Sequence, residues 1–167
     1  MAEAILITRK DVVKFTAMNG GVDTDKFIQY IKIAQDIHVQ NYLGTDLLQA
    51  IQTKIKAGNL SGDYLSLVTD YVKPLLCHWA MVEYLPFAAY TIANKGVYKH
   101  SSENAENVSK EEVDFLVEKE RTTAQYYTDR FIDYMSFNAS SKFPEYYSNN
   151  NEDISPDKDA NFSGWVL

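Results

Sequence analysis

From residue 24 to residue 57 apolar positions recur every three to four residues, the spacing of helices with one buried face. Phe27, Tyr30, Ile31, Ala34, Ile37 and His38 fall within one arc, while Gln29, Lys32 and Asp36 face away. This predicts a helix over residues 24–43. Gly44 stands just past the periodic run, where a left-handed residue closes a helix. Thr45 is placed to cap a second helix over residues 45–57, with Asp46 in its first turn against the positive end of the dipole. Its apolar face is Leu47, Leu48, Ile51 and Ile55, and it runs out at Lys54 and Lys56 before Gly58.

A third helix is predicted over residues 63–93. Tyr64, Val68, Tyr71, Leu75, His78, Trp79, Val82 and Leu85 share one broad side, and only Ser66, Asp70, Lys73 and Cys77 form a polar arc. So apolar a circumference marks the central helix. Pro74 frees the carbonyl of Asp70 and Pro86 that of Val82, so a kink or break is expected near each, above all at Pro86. Residues 94–108 read as a polar connection. Ser109 and Glu112 form a capping box for a fourth helix reaching about residue 138, with Val113, Val117, Ala124, Tyr127, Phe131 and Tyr134 as its stripe and Glu120 interrupting it. Ahead of all this, residues 4–8 make an extended arm or short strand, and Thr8 caps a brief helix over residues 9–15.

These elements imply an all-α fold: a small antiparallel bundle of four main helices over residues 1–138, with a short N-terminal arm, and an extended C-terminal tail over residues 139–167. The tail is rich in Asn, Ser, Asp and Pro, a composition that buries too little to fold alone. It nevertheless carries two aromatic clusters, Phe143, Tyr146 and Tyr147, then Phe162, Trp165, Val166 and Leu167. Such side chains either fold back on the bundle or anchor the chain to another subunit, and they are the candidate partner-binding residues.

Composition excludes more than it identifies. The 167 residues suit one domain, and a net charge of −7 with no dense Lys/Arg cluster argues against a grip on nucleic acid phosphates. Twelve Tyr, eight Phe and two Trp exceed what the length needs and suit either a small core or a protein–protein surface. The lone cysteine, Cys77, rules out an intrachain disulfide, and neither a signal peptide nor a membrane span is legible. His38, His78 and His100 stand in no metal-ligand spacing, and His38 and His78 read as core histidines. Asp157, Asp159 and Asn161 open a calcium-loop pattern that Phe162 breaks where glycine is needed. Phosphate cradles and serine elbows are absent. The expectation is no catalytic residue, no cofactor and no metal.

The helix–stop–helix stretch is where a family resemblance lies. Ile33-Ala34-Gln35 and Tyr42-Leu43-Gly44, with a weaker match over residues 74–84, resemble the head–tail connector (adaptor, or head-completion ring) proteins of tailed phages, of the Bacteroides crAss-like type. The resemblance covers residues 5–92 in outline. It implies a structural virion protein at the neck, assembled in the bacterial host cytoplasm. It further implies partners: other copies in a ring, expected to be dodecameric, the portal protein, and tail or further ring proteins. DNA would pass through the ring, which an acidic chain suits because DNA slides past it without sticking. Sequence-specific nucleic acid binding and membrane association are not expected. The rival reading is a soluble helical interaction or regulatory module with a disordered tail.

Overall fold

The computed structural model describes residues 4–88, 90–94, 96–99 and 108–159, and it is mostly helical. Thr8 caps α1 (Arg9–Phe15) through a capping box with Asp11. Helix α2 (Thr24–Ala34) passes through a π turn, Gln35–Val39, into α3 (Gln40–Leu43) without leaving helical backbone angles. Helix α4 (Thr45–Lys56) follows at once. Next come α5 (Gly62–Leu67), a second π turn (Val68–Val72), α6 (Lys73–Tyr84) and a 3-10 turn (Leu85–Phe87). The last helix, α7, is Lys110–Lys142.

Each π turn has a local cause or consequence. In the first, one extra residue per turn rotates the face. Gln35 and Val39 go inward, whereas Ile37, expected on the buried arc, is 58% exposed. In the second, Pro74 has no N–H and its ring crowds the carbonyl of Asp70, so the helix opens there. The Lys73 N–H reaches back to the carbonyl of Val68, and the freed Asp70 carbonyl accepts from the Arg130 guanidinium at 3.4 Å.

Helix α6 is the centre, packed against α1, α2 and α7. Every residue from Pro74 to Val82 is buried, including Cys77, which the sequence places on a polar arc. Contacts between the α5–α6 segment and α7 with the turn just after it run in opposite senses: Tyr64 meets Glu145, Tyr71 stacks on Tyr134, and His78 meets Glu120. Pro86 does end the helix. Residues 90–93, expected to prolong it, instead form β1 (Tyr90–Ala93), paired antiparallel with β2 (Gly96–Lys99). Gly96 supplies the positive φ (+124°) needed at the turn.

The expected boundary at residue 138 falls inside α7. The helix continues to Lys142, and Ala139, Phe143 and Tyr146 all lie in the core. Residues 139–147 therefore belong to the packed body, because Phe143 meets Tyr64 and Tyr134 edge-on and at a tilt. The buried side of α7 lies in its second half. No residue from 110 to 123 is buried, whereas Ala124, Thr128, Phe131, Ile132 and Met135 are.

Candidate functional site

The corner between α3 and α4 gathers more polar contacts across long sequence separations than any other described region. Gly44 takes φ +76° and ψ 160°, which an L side chain rarely adopts. A Cβ there would also meet the Pro156 ring at 2.7 Å, so glycine is required twice over. Gly44 is itself the N-cap position of α4, and Thr45, expected as the cap, is already helical. This frees its groups for another segment. The Thr45 N–H donates to the carbonyl of Ile154 (2.9 Å), its hydroxyl donates to Asp153 (2.9 Å), and that hydroxyl accepts the Ile154 N–H (3.2 Å). One turn back, the Asn41 carbonyl accepts the Asp157 N–H at 2.8 Å.

Asp46 completes the corner. Its carboxylate accepts from the Ser148 hydroxyl (2.7 Å), the Asn150 N–H (2.8 Å) and the Asn151 side-chain amide (2.6 Å). The Ser148 hydroxyl and the Asn150 and Asn151 donors hold this carboxyl below the usual range. Residues 148–157 thus form a strap laid over the corner by hydrogen bonds, with little apolar burial. The sequence reading of an extended tail left open whether it folds back on the bundle, and residues 148–157 do so through polar groups. Asn, Ser and Asp cannot build a core, but they can satisfy a neighbouring helix corner whose own groups are free.

The chain's other end is held on the same rods. Gln35, 1% exposed, accepts the Leu6 N–H (2.9 Å) and donates to the Ala4 carbonyl (3.0 Å). Gln52 donates to that same carbonyl at 2.9 Å. Of the candidate anchors, Phe143 and Tyr146 are buried in the chain's own core and are not free for a partner; burial pushes the Tyr146 hydroxyl up to about 12. Tyr147 is 55% exposed with the Lys158 ammonium 4.6 Å from its ring centre. Phe162, Trp165, Val166 and Leu167 lie outside the described residues.

Two histidines have carboxylate partners that their sequence neighbours do not reveal. His38 contacts Glu83 at 2.8 Å and stacks on Trp79; His78 contacts Glu120 at 2.6 Å and stacks on Tyr127. A carboxylate only accepts, so the His38 Nε2 and His78 Nδ1 carry the protons. Burial holds His38 below its ordinary value, with Glu83 offsetting part of this. Glu120 had a visible signal, since it is the residue that breaks the apolar stripe of α7. Burial pushes the Cys77 thiol up to about 12, leaving it protonated and inert. Among the described residues no group of three His, Cys, Asp or Glu side chains is placed to hold a metal ion. Nor is any described helix long and apolar enough to cross a membrane.

No curated protein and no solved structure matches the chain significantly. The sequence profile of one family does, and its match begins just before the Gly44 corner and ends within the strap. Covering residues 39–155, well over half of the chain, that match places the protein in a family of unknown function, DUF6712.

Proposed function

We propose that this chain is a structural virion protein, a subunit of a head–tail connector ring that joins the portal to the tail and lets DNA pass. One observation carries the reading: the residues that bear the resemblance fasten the two ends of the chain rather than perform chemistry. Gln35 grips the N-terminal arm, and Gly44, with its neighbours Asn41 and Thr45, receives the C-terminal strap. Ala34, Tyr42 and Leu43 are buried beside them. A ring subunit needs extended ends that are placed with care, because heterologous contacts between identical copies close only at one geometry. In this reading the α2–α3 rod, α4, the α5–α6 rod and α7 are the four members of an antiparallel bundle. The exposed Tyr147 and the chain end at Phe162, Trp165, Val166 and Leu167 reach a neighbouring copy or the portal.

The test is the protein content and image of purified particles. The reading expects this chain in stoichiometric multiples at the neck, and a complex far above 19.1 kDa when the chain is mixed with the portal of the same virus. Particles that lack the chain, together with no complex on mixing, would leave the soluble interaction module as the better account.

A further inference from the structure

Two exposed hollows have opposite charge and similar apolar floors. The first lies on α1, about 670 Å³ in volume, lined by Thr8, Arg9, Lys10, Val13, Lys14 and Gly20. Val13 is 37% exposed at its floor. Arg9, Lys10 and Lys14 form the rim, and none has a carboxylate partner among the described residues. On a chain of net charge −7 this is a concentrated positive edge, yet three cations fall short of a nucleic-acid grip. The second hollow lies at the start of α7, about 450 Å³, lined by Val108, Glu111, Glu112, Phe115 and Leu116. Phe115 is 62% exposed and Leu116 45%, large apolar surfaces for a stretch of helix with no buried residue. Lys110 and Lys119 share that stretch, so its acidity comes from the turn Glu111, Glu112 and Asp114.

The two hollows lie on different helices and share no lining residue. The Asp11–Lys73 ion pair (3.1 Å) ties α1 to the first residue of α6, whereas α7 passes the far end, at Leu85–Phe87. Each hollow is open to solvent, so the two can meet between copies.

We propose that the α1 hollow of one copy receives the start of α7 of the next, with Phe115 and Leu116 over Val13 and Glu111 and Glu112 facing Lys10 and Lys14. Because the two surfaces differ, the contact is head-to-tail and can propagate around a ring. Opposed charge fixes the register, and apolar burial supplies the adhesion. The proposal deepens the ring reading above and rests on it for the closure of the ring.

The experiment uses the full chain. Mixing Val13→Cys chains with Leu116→Cys chains under mild oxidation is expected to yield a cross-linked pair, whereas neither variant alone does so; Cys77 is buried and stays out of the reaction. Separately, Lys10→Glu with Lys14→Glu is expected to weaken self-association roughly tenfold or more, and so is Glu111→Lys with Glu112→Lys. All four changes in one chain restore it. A mixture that cross-links no better than Val13→Cys alone, or a four-change chain as poor as either pair, overturns the contact. The two readings separate cleanly. A chain present in virions without the 13–116 cross-link keeps the connector and loses this interface. A chain that cross-links in solution but is missing from virions does the reverse.

Discussion

The α6–α7 packing and the Gly44 corner hold this protein together by opposite means. Along α6 and α7, Leu75, Leu76, Trp79, Phe131 and Met135 are buried, and polar contacts such as Trp79 to Thr128 at 3.0 Å and His78 to Glu120 at 2.6 Å supplement that burial. At the corner, Thr45, Asp46 and Asn41 meet Ser148, Asn150, Asp153, Ile154 and Asp157 almost wholly through hydrogen bonds. Apolar burial is non-directional and large, so it decides which helices meet. Hydrogen bonds are directional and small in net worth, about 0.5–1.5 kcal/mol each, so they decide where a segment lies. The difference teaches that one part of the molecule is its fold, and the other is a fastening that can be undone while the fold stays.

Truncation sharpens that contrast most. Deleting residues 139–167 removes Ala139, Phe143 and Tyr146 from the core. The expected loss exceeds that of a single buried Phe, about 3–5 kcal/mol, enough to unfold a marginal domain. Deleting residues 148–167 removes only the strap and the chain end beyond it, and helicity and the melting curve should stay close to those of the full chain. Circular dichroism melts of the two truncations decide the matter. Equal damage from both would mean that the strap belongs to the core and the contrast fails. Trp79→Ala comes next, with an expected cost of roughly 3–5 kcal/mol in denaturant titrations. Trp79 is 4% exposed and stacks on His38, so an unchanged midpoint would break the assignment of α6 as the centre.

The same contrast explains what the sequence made legible. The α6 core, the caps at Thr8 and Ser109, and the stops at Gly44 and Pro86 follow from periodicity and local backbone chemistry, which are properties of neighbouring residues. Ile37 misled because a π turn adds a residue and shifts the register of the helical wheel, and no local pattern announces it. Residues 90–93 misled because apolar Tyr, Ile and Ala extend a helical stripe as readily as they make a strand. The strap was illegible for a deeper reason. Its partners Thr45 and Asp46 lie about a hundred residues away, and each side offers only common polar groups whose pairing depends on the fold being already formed. Glu120 shows the intermediate case. A charge on an apolar stripe signals that a partner exists, but not that the partner is His78.

A smaller change tests the corner by itself. Gly44→Ala is expected to cost about 1–2 kcal/mol, from the positive φ and from the collision of Cβ with Pro156. The chain relieves that collision by lifting the strap. Hydrogen exchange should therefore quicken at the Thr45 and Asp157 amides, which bond across the corner, while the amides of α6 keep their protection. Protection lost equally in both places would show that the corner and the core unfold as one unit.

The smallest expected effect is the pH dependence of the strap. Asp46 accepts from Ser148, Asn150 and Asn151 in the folded chain, and those donors favour its ionised form. Its folded value is accordingly below the ordinary 3.8. A carboxyl with a depressed folded value contributes fully above its unfolded value, and that contribution is lost as pH falls through the folded one. The strap should thus stay docked from neutral pH down to about 4 and loosen below that. The core has no such trigger at the Trp79–Thr128 contact, where neither group titrates. A fall in the protection factors of the Asn150 and Asp157 amides on acidification, with α6 still protected, is the expected signature. In Asp46→Asn the carboxylate is gone at every pH. That chain should show a low protection factor at Asn150 already at neutral pH and no further loss of protection from this site on acidification. If the variant keeps the acid release of the natural chain, another carboxyl fastens the strap, and Asp153 beside Thr45 becomes the group to change.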